Sequence, residues 1–407
     1  MARAALAGVR LTAAVTSRRQ HDVVIVGGGN AGLSLAGRLV RDGAKDVVVI
    51  EPERVHHYRP MLSYVAGGEA TLEDLRRPQE RVTPRGVRWH AGSVVAVEPE
   101  RSVVRLADGA EIGYTDLVLC PGSQVDWDAI PGSEAAVRTP FAATSYLPDS
   151  AVDTWGMLSS LRAGRAVFVI AGQHVPCSPV ALKPLFMAAE HWRREGVRDS
   201  VEIQLLVEGE RLVDHARADR TLRDVAAEQG VHLRFGAPVT SVDATARTLE
   251  VGASTVPYDA LYLAPPHRAP AWIAESGLAC TADGGFLRVD PQTLQHVEHP
   301  TVWGLGDVAE LDALPSGGAL RKQVPVVARN IAARRTGAPM RRYDGYSIAP
   351  VTTSRRRLLL AEFDRAGRHQ PSVPFPDLVR PRLTTWAFDR YVEPHIYFRR
   401  LLQGKVS

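Results

Sequence analysis

Short apolar runs that end at glycines recur along the chain, and the first of them is the most informative. Asp22 to Val26 is a β-branched run typical of a buried parallel strand, and it leads directly into the glycines of residues 27–32. The pattern then predicts a helix over 31–42 and a second strand over 46–50, which ends at Glu51. A carboxylate about 20 residues beyond the glycines is placed to accept hydrogen bonds from ribose hydroxyls. The whole segment therefore predicts a dinucleotide-binding βαβ unit.

Each position of this glycine turn has a physical role. Gly27 allows the tight turn, Gly29 removes the side chain that would block a pyrophosphate, and Gly32 lets the helix pack closely on the sheet. Asn30 and Ala31 open the helix, whose amino terminus faces the phosphate charge. A lone glycine motif is weak evidence, but strand, glycines, helix, strand and acid together are strong evidence.

Two distant segments complete the same cofactor site. Residues 301–308 are an apolar strand that ends in Gly306-Asp307, and the Asp307 carboxylate is suited to bind the ribityl chain of FAD. Residues 114–123 are a strand that enters a turn at Pro121-Gly122, where the chain of such proteins crosses back over FAD. For Asp307 alone, an acid in an ordinary strand-ending turn is an equal alternative. Together the three segments favour one bound FAD.

A glycine loop follows and leads into an apolar stretch that is predicted to be helical, Leu314 to Ile331. In such enzymes the end of this loop faces the isoalloxazine ring. Lys322 would there place positive charge near the pyrimidine edge and stabilise the anion of the reduced flavin. From sequence alone, a solvated surface lysine is an equally good interpretation.

A second strand-turn segment, residues 166–178, has lost the glycines of a phosphate-binding turn. Its turn reads Gly172-Gln-His-Val-Pro-Cys, and Pro176 with its neighbours should obstruct the approach of a phosphate. We therefore expect NAD(P)H to be disfavoured as the reductant. A thiol, Cys177, stands where the bare backbone would be, and a helix amino terminus would lower its pKa. A redox role is the favoured interpretation of Cys177, and a packing residue at the start of the helix is the alternative.

The order of these segments predicts an α/β fold with two Rossmann-like dinucleotide-binding domains. We assign residues 21–150 and 281–345 to a discontinuous FAD-binding domain, and residues 151–280 to a second domain with a degenerate nucleotide site. Residues 346–407 are predicted to form a C-terminal hairpin and an amphipathic tail. The further predicted elements are strands over 166–170, 201–207 and 261–264, a helix over 181–195 and a hairpin over 358–364.

Residues 1–20 contain four arginines, several hydroxyl side chains and no acid, which is the composition of a transit peptide. A disordered leader that merely reflects the Ala-, Val- and Arg-rich composition of the whole chain is an equally good interpretation.

Composition narrows the functional classes. The chain has 407 residues, of which 45% are hydrophobic and 23% charged, and this fits two or three soluble domains. The formal net charge is only +4, and no basic face carries interleaved aromatics, so nucleic acid is not expected as a partner. No run reaches the roughly 18–20 apolar residues of a membrane span, so any membrane contact is expected to be peripheral. The cysteines at 120, 177 and 280 lack C-x-x-C spacing, so neither a metal site nor a disulfide framework is indicated.

Residues 383–402 mix large apolar side chains with Arg390, Arg399 and Arg400. This mixture suits a helix that lies in a membrane interface. Packing of the tail on the protein's own core is an equal alternative, because Pro394 interrupts the helical period.

Motifs from both ends of the chain are those of one flavoprotein family. These motifs are Val26–Gly32, Glu51-Pro, His56-His-Tyr-Arg-Pro60, Pro176-Cys177 with Lys183, Ala264-Pro-Pro266, Val289–Gln295, Gly304-Leu-Gly-Asp307, Tyr343-Asp-Gly-Tyr346 and Leu359–Phe363. On these residues the chain resembles the sulfide:quinone oxidoreductase family, especially its mitochondrial-like type, within the FAD-dependent pyridine nucleotide-disulfide oxidoreductases. The likeness runs from His21 almost to the C-terminus, and its middle and C-terminal motifs are the specific ones.

The resemblance implies an FAD enzyme that oxidises sulfide, or a related small thiol or persulfide, and reduces a membrane quinone. It favours Cys177 and Lys322 as catalytic residues. Members of the family use two cysteines that flank the flavin: sulfide attacks their bridge, one cysteine keeps a persulfide, and the other sulfur passes two electrons on. The second cysteine belongs just after Tyr346, where this sequence has Ala349. Cys177 alone would bear a persulfide that an external acceptor must resolve.

Neither of the other two cysteines stands at the missing position. Cys120 ends the central strand of the FAD domain and suits a small buried hydrophobe, and Cys280 lies in a loop that leads back toward that domain.

Two functions stay open. The first is oxidation of sulfide or a small thiol at Cys177, with electrons passing through FAD to quinone at a peripheral membrane surface. The second is a diverged flavoprotein oxidoreductase with another donor or acceptor, which Ala349 favours. The expected location is the cytoplasmic face of a bacterial membrane, with the mitochondrial inner membrane as the alternative. A homo-oligomer is compatible with both functions.

Overall fold

The structure is a computed structural model that describes residues 19–172, 174–280, 284–373 and 376–405. Of the predicted leader, residues 1–18 lie outside these ranges, and residues 19 and 20 already belong to the first strand. The described chain folds into two α/β halves with parallel sheets, so the predicted fold class is confirmed.

Strands and helices alternate along most of the chain. The strands are β1 (Arg19–Val26), β2 (Val47–Ile50), β3 (Val55–His57), β4 (Arg76–Pro78), β5 (Val87–His90), β6 (Val94–Glu98), β7 (Val103–Leu106), β8 (Glu111–Leu119), β9 (Gln124–Val125), β10 (Ala142–Ala143), β11 (Gly164–Ile170), β12 (Val201–Val207), β13 (Val231–Phe235), β14 (Val239–Asp243), β15 (Thr248–Val251), β16 (Ser254–Pro257), β17 (Ala260–Ala264), β18 (His267–Arg268), β19 (Val302–Gly304), β20 (Ser347–Ser354) and β21 (Arg357–Phe363). The helices are α1 (Asn30–Arg41), α2 (Leu62–Val65), α3 (Leu72–Leu75), α4 (Gln79–Val82), α5 (Ser133–Val137), α6 (Pro148–Ser160), α7 (Leu182–Arg194), α8 (Ala216–Glu228), α9 (Trp272–Glu275), α10 (Leu320–Thr336), α11 (Leu383–Ala387) and α12 (Glu393–Ile396).

Short helical turns of other pitch extend several of these helices. A 3₁₀ turn, Ser178–Ala181, precedes α7, and another, Gly317–Ala319, precedes α10. Near the C-terminus, π-helical turns at Phe388–Val392 and Tyr397–Leu401 follow α11 and α12, so that residues 383–401 form one continuous helical segment. We call this segment the C-terminal helix.

The first half is built on a sheet in the order β5-β2-β1-β8-β7-β6. Strands β5, β2, β1 and β8 run parallel, and β19 pairs in parallel with the carboxyl end of β8. Strands β6 and β7 form an antiparallel meander on the amino-terminal part of β8. Residues 23–26 of β1 and all of β2 are buried and apolar, as expected for parallel strands that are covered on both faces. The carboxyl ends of β1, β2, β8 and β19 therefore meet at one edge of this sheet.

The second half is a parallel sheet in the order β10-β17-β11-β12-β13, with an antiparallel meander β14-β15-β16 beside it. The predicted strands over 166–170, 201–207 and 261–264 and the predicted helix over 181–195 are present as β11, β12, β17 and α7. The edge strand β10 comes from residues 142–143, which lie within the range assigned to the FAD domain. The assigned end of the second domain, at residue 280, falls next to residues 281–283, which lie outside the described ranges.

The hairpin of the tail is larger than predicted. It joins β20 to β21 with Ala349 opposite Ala361, whereas the sequence pattern indicated residues 358–364 only. Pro350 hides the first strand from sequence analysis because proline donates no ladder hydrogen bond. In the structure it is tolerated because β20 pairs with one strand only, so that its other edge needs no partner. The hairpin packs in the apolar core of the second half.

No helix among the described residues is long and apolar enough to cross a bilayer.

Candidate functional site

The turn after β1 has no room for side chains at two of its glycines. Gly27 has a φ of +102°, and a Cβ added there would lie 2.2 Å from the carbonyl oxygen of Cys120. A Cβ added at Gly32 would lie 1.9 Å from the carbonyl oxygen of Gly27. Strand β1, strand β8 and helix α1 therefore approach one another closely enough that both positions require glycine.

Gly29 faces open space instead. It is exposed, its φ of −76° suits any residue, and an added Cβ would meet nothing within 4 Å. Helix α1 begins at the next residue, so the free backbone N–H groups of its first turn border the same space. Ala31 is buried beneath Gly306, and Asn30 Nδ2 donates to the Gly317 carbonyl at 3.2 Å. An open concavity bordered by backbone donors fits a pyrophosphate.

Glu51 is held at the end of β2 by the backbone around it. Its carboxylate accepts from the backbone N–H of Gly28 at 2.7 Å and from that of Glu53 at 2.8 Å. The acid therefore lies beside the glycine turn, on the side predicted for the ribose. Its contact with a ribose stays a prediction.

The end of β8 borders the same turn. Gly122 has a φ of +74°, and it and the preceding Pro121 are only partly buried; an added Cβ at Gly122 would meet nothing within 4 Å. The Cys120 side chain is buried, and its thiol lies 3.9 Å from the Gly27 carbonyl oxygen. Burial raises the pKa of Cys120 far above the ordinary value for a thiol. Cys120 is thus the small buried hydrophobe expected from the sequence.

Asp307 is an acid without a protein partner. It follows β19 and Gly306, whose backbone N–H donates to Gln323 Oε1 at 2.9 Å. Asp307 is half-buried and makes no hydrogen bond or ion pair within the described ranges. Burial raises the pKa of Asp307, and the charge of Arg59 opposes that shift. A half-buried carboxylate with free acceptor capacity fits the hydroxyls of a ribityl chain, so the glycine turn, the open space at Gly29 and Asp307 together fit FAD.

Cys177 lies in the turn between β11 and α7. Its φ is +47°, and its backbone N–H donates to the Pro315 carbonyl at 2.8 Å. Its Sγ lies 3.6 Å from the carbonyl oxygen of Ile348. Burial raises the pKa of the thiol to about 12, Lys183 opposes that shift, and Asp307 and Asp389 add to it.

This finding corrects the expectation that a helix amino terminus lowers the pKa of Cys177. The residue precedes a four-residue 3₁₀ turn rather than the α-helix itself, which begins five residues later. The cost of ionising a buried thiol outweighs any favourable dipole at that distance.

Two aromatic side chains stand beside the thiol. The Tyr146 hydroxyl donates to the Pro176 carbonyl at 3.2 Å, and its ring lies 5.2 Å from that of His267. Burial raises the pKa of Tyr146 well above its ordinary value, and Cys177 and Asp307 both add to that shift. Tyr146 thus contacts the turn of Cys177, and the backbone of Cys177 is bonded to Pro315, in the loop that follows Asp307. That the thiol faces the flavin stays a prediction.

Ala349, which stands at the family's second cysteine position, lies in the strand next to this turn. Its side chain is fully buried, and the preceding carbonyl, that of Ile348, is the acceptor for the Cys177 thiol. The structure thus brings the position of the missing cysteine beside Cys177. Cys280, whose backbone N–H donates to the Phe286 carbonyl, is a separate free thiol.

Lys322 contacts two polar side chains, those of Asp344 and Gln370. Its Nζ lies 2.9 Å from Asp344 Oδ2 and 3.0 Å from Gln370 Oε1, and 4.4 Å from the ring centroid of Tyr346. The side chain is about two-fifths exposed. Its stabilisation of the reduced flavin anion stays a prediction, which requires that the ammonium interact with Asp344 and with the cofactor at the same time.

A cavity of about 740 Å³ opens at the opposite end of the second sheet. It is bordered by Gly164 and Val201, the first residues of β11 and β12, and by the guanidinium groups of Arg165 and Arg198. Those groups are already engaged with Glu202 and with backbone carbonyls. Since the turn that carries Cys177 follows the other end of β11, this cavity does not belong to the redox site.

The C-terminal helix has a buried and an exposed face. The buried side chains include Trp386, Tyr397 and Leu401, and the exposed large apolar side chains are Leu383, Phe388, Tyr391 and Val392. The buried face joins the core of the FAD half. Both alternatives from the sequence are therefore represented on one segment: packing on the protein inside, and apolar side chains outside.

Several residues of the site were missed by sequence analysis. Arg59 makes no hydrogen bond or ion pair within the described part of the chain, and its charge acts on the pKa values of both Asp307 and His267. Tyr146 and His267 carry no local motif that marks them. Arg59 stands within the quoted motif of residues 56–60, which is the one sequence signal that could have indicated it.

Comparisons with known proteins agree with this geometry. The profile of a family described as pyridine nucleotide-disulphide oxidoreductase matches residues 21–151. A mitochondrial sulfide:quinone oxidoreductase of Dictyostelium discoideum is 31% identical over 94% of this chain and 86% of its own length. The protein of the same name from Mus musculus is 27% identical over 96% of this chain and 88% of its own.

A solved structure shows the same fold. The sulfide:quinone oxidoreductase of Aquifex aeolicus superposes with a TM-score of 0.79 at 17% identity, covering 95% of this chain and 92% of that one. With 31% identity to a relative over nearly its whole length, the chain belongs to the sulfide:quinone oxidoreductase family and is a flavin-dependent oxidoreductase whose cofactor is FAD.

Proposed function

We propose that this protein oxidises sulfide, or a related small thiol or persulfide, at Cys177 and passes the electrons through FAD to a quinone. The observation that carries the proposal is the position of Cys177: its backbone N–H donates to the Pro315 carbonyl, in the loop that follows Asp307, and Tyr146 donates to the neighbouring Pro176 carbonyl. The names of the relatives supply the substrate and the acceptor. FAD, when bound, supplies the two-electron acceptor between them.

Cys177 holds the sulfur during the oxidation. The Cys177 thiol and hydrogen sulfide together lose two electrons and two protons as an S–S bond forms, which leaves a persulfide on Cys177. The carbonyl of Ile348, 3.6 Å from Sγ, orients the half-buried thiol. Tyr146, fixed on Pro176, forms one wall.

Ala349 determines how the persulfide is released. Since no second cysteine stands beside Cys177 within the described ranges, a free thiol or a second sulfide must attack the outer sulfur. That step moves the sulfur to the acceptor, returns the thiol to Cys177 and needs no further oxidant.

The exposed apolar face of the C-terminal helix supports a peripheral membrane position. Phe388, Tyr391 and Val392 project outward, and Arg399 and Arg400 are exposed on the same segment. Apolar side chains flanked by arginines suit the boundary between headgroups and acyl chains, where a quinone is available. The mitochondrial inner membrane and the cytoplasmic face of a bacterial membrane both offer this environment.

Stopped-flow absorbance tests the redox role of Cys177. We expect sulfide to bleach the flavin of the wild-type protein rapidly, and the Cys177→Ala variant to be slower by about 1000-fold, as for loss of a nucleophile. Cys280→Ala is the matched control, because it removes another half-buried free thiol, whose backbone is bonded to Phe286 and not to Pro315, and it should leave the rate unchanged. Equal bleaching in Cys177→Ala and wild type would remove Cys177 from the mechanism.

Ala349→Cys tests the need for an external acceptor. With a second thiol beside Cys177, the outer sulfur has an acceptor within the protein. We expect steady-state sulfide oxidation in this variant to depend less on added small thiols than in wild type. An unchanged dependence would show that the position does not take part in sulfur transfer.

A second function, a diverged flavoprotein with another donor or acceptor, is favoured by Ala349 and by the high pKa of Cys177. It predicts slow bleaching by sulfide in wild type and no effect of Cys177→Ala. The stopped-flow comparison therefore decides between the two functions.

A further inference from the structure

A buried ion pair connects the helix after Cys177 to the C-terminal helix. Lys183, in the first turn of α7, has a side chain only 1% exposed, and its Nζ lies 3.1 Å from Asp389 Oδ2. The same ammonium lies 4.5 Å from the ring centroid of Tyr64. The Tyr64 hydroxyl donates to Asp389 Oδ2 at 2.6 Å, so one carboxylate oxygen receives both groups.

Stability alone is a weak reason for such a pair. Taking two charges out of water costs about as much as their attraction returns, so a buried ion pair often contributes little net stability. Lys183 lies in the helix that follows the turn of Cys177, and this helix packs on β20, the strand whose Ile348 carbonyl accepts from the thiol. From this position the ammonium of Lys183 lowers the pKa of Cys177, and the carboxylate of Asp389 raises it. The other charged group that acts on the thiol is Asp307, from the loop after β19.

We infer that Asp389 and Lys183 are positioning residues that set the reactivity of Cys177, with Asp389 holding back the effect of the Lys183 ammonium. The two charges act on the thiolate with opposite sign, so each opposes the effect of the other while the pair is intact. Because Asp389 belongs to the C-terminal helix, the reactivity of the thiol depends on the position of that helix. The inference deepens the proposed function, since a thiolate is the form that attacks sulfur.

Alkylation of the full-length, FAD-loaded protein measures this effect without sulfide. Iodoacetamide reacts with the thiolate, and mass spectrometry of the Cys177 peptide separates it from Cys120 and Cys280. Rates are taken as a pH profile between about pH 7.5 and 9.5, where the rate follows the thiolate fraction.

The expected order of rates is specific to the pair. Asp389→Asn leaves the ammonium uncompensated and should raise the alkylation rate about tenfold at each pH, and Lys183→Met should lower it about tenfold. The double variant should lie within about threefold of wild type, because both charges are gone. A role in packing alone would not produce opposite changes that cancel in the double variant.

Glu393→Gln is the matched control, since it changes a carboxylate to an amide on the same helix without touching Lys183. Its alkylation profile should match that of wild type. Flavin absorbance and thermal unfolding check that each variant is folded, and if Lys183→Met does not fold, the comparison of Asp389→Asn with Glu393→Gln decides alone. An Asp389→Asn profile equal to wild type in a folded protein overturns the inference. That result would not affect the stopped-flow test of Cys177. Conversely, if sulfide fails to reduce the flavin, the order of alkylation rates still tests the effect of Lys183 and Asp389 on the thiol.

Discussion

The two strand-to-helix turns of this molecule occupy equivalent places in their sheets and differ in what they leave at the surface. In the first, Gly27 and Gly32 are closed against neighbouring backbone, and Gly29 opens onto free space. In the second, Cys177 has the left-handed backbone conformation. This conformation is sparsely populated by residues that have a side chain, and it costs of order 1–3 kcal/mol. A backbone hydrogen bond to Pro315 fixes it. The first turn therefore fits a phosphate, whereas the second turn has a thiol where the first has bare backbone.

A second contrast lies in the histidines behind the turns. His56 Nδ1 donates to the carbonyl of Gly28 and its Nε2 accepts from the Tyr397 hydroxyl, whereas His267 Nδ1 donates to the Pro265 carbonyl. Burial lowers the pKa of each to about 4. Both imidazoles are therefore neutral near pH 7. Of the two, only His56 is hydrogen-bonded to the C-terminal helix.

The largest expected effect comes from closing the open space of the first turn. In Gly29→Val we expect FAD affinity to fall by about 100-fold or more, roughly 3 kcal/mol, because the side chain occupies the place of the pyrophosphate. Titration of FAD into the apo-protein measures it. Gly172→Ala is the control in the second turn: its φ of +79° makes an alanine cost about 1–2 kcal/mol of stability, but FAD affinity should not change. Full flavin content in Gly29→Val would contradict the assignment of this turn.

NADH tests the second turn directly. We expect the flavin to be bleached by NADH at least about 100-fold more slowly than by sulfide, because Pro176 and its neighbours should obstruct the approach of a phosphate to the second turn, a difference of about 3 kcal/mol. Parallel stopped-flow traces at equal concentrations give the ratio. Comparable rates would mean that this turn binds a nucleotide after all.

Asp307→Asn should have opposite effects on cofactor binding and on the apo-protein. Loss of a charged acceptor should weaken FAD about tenfold, since charge-assisted hydrogen bonds contribute roughly 1.5 kcal/mol. The apo-protein should melt at a higher temperature at pH 7, because burial raises the pKa of Asp307, so its ionised form destabilises the folded state above the ordinary carboxyl range. This gain should vanish at low pH, where both states are protonated. Asp153→Asn, an exposed acid on α6, should change neither quantity.

The smallest effect concerns acid sensitivity. Because the pKa of His56 falls from 6.5 to about 4 on folding, the unfolded chain binds the extra proton first, and stability is lost as the pH falls from 6.5 toward 4. We expect His56→Gln and His267→Gln each to remove about 1 kcal/mol of the stability difference between pH 7 and pH 5. Chemical denaturation at both pH values measures it, with the exposed His232→Gln as the control. An unchanged pH dependence in both variants would show that these imidazoles are not the groups that titrate.

Local patterns predicted what depends on neighbours in sequence. The runs that became β1, β2, β11 and β12 are apolar because both faces are covered, and the glycines after β1 are required by contacts within one turn. The fold class and the identity of the cofactor followed from such segments. Cys177 was found in the same way, as a thiol in a turn that should carry glycine.

What the sequence did not reveal depends on contacts between distant residues. Lys183 and Asp389 lie 206 positions apart, and no periodicity connects them. The sign of the pKa shift of Cys177 was predicted wrongly because a helix start is visible in sequence, whereas burial of the thiol is not. The strand that contains Pro350 was missed since proline argues against a strand unless one edge is known to be free.

The C-terminal helix contacts the surroundings of both turns, through Tyr397, which is bonded to His56 behind the first, and through Asp389, which is paired with Lys183 beyond the second. Proteolytic loss of this helix would therefore remove the Asp389 carboxylate from the buried Lys183 ammonium and the Tyr397 hydroxyl from the His56 imidazole at the same time. We expect such a fragment to lose flavin and solubility together, in one step.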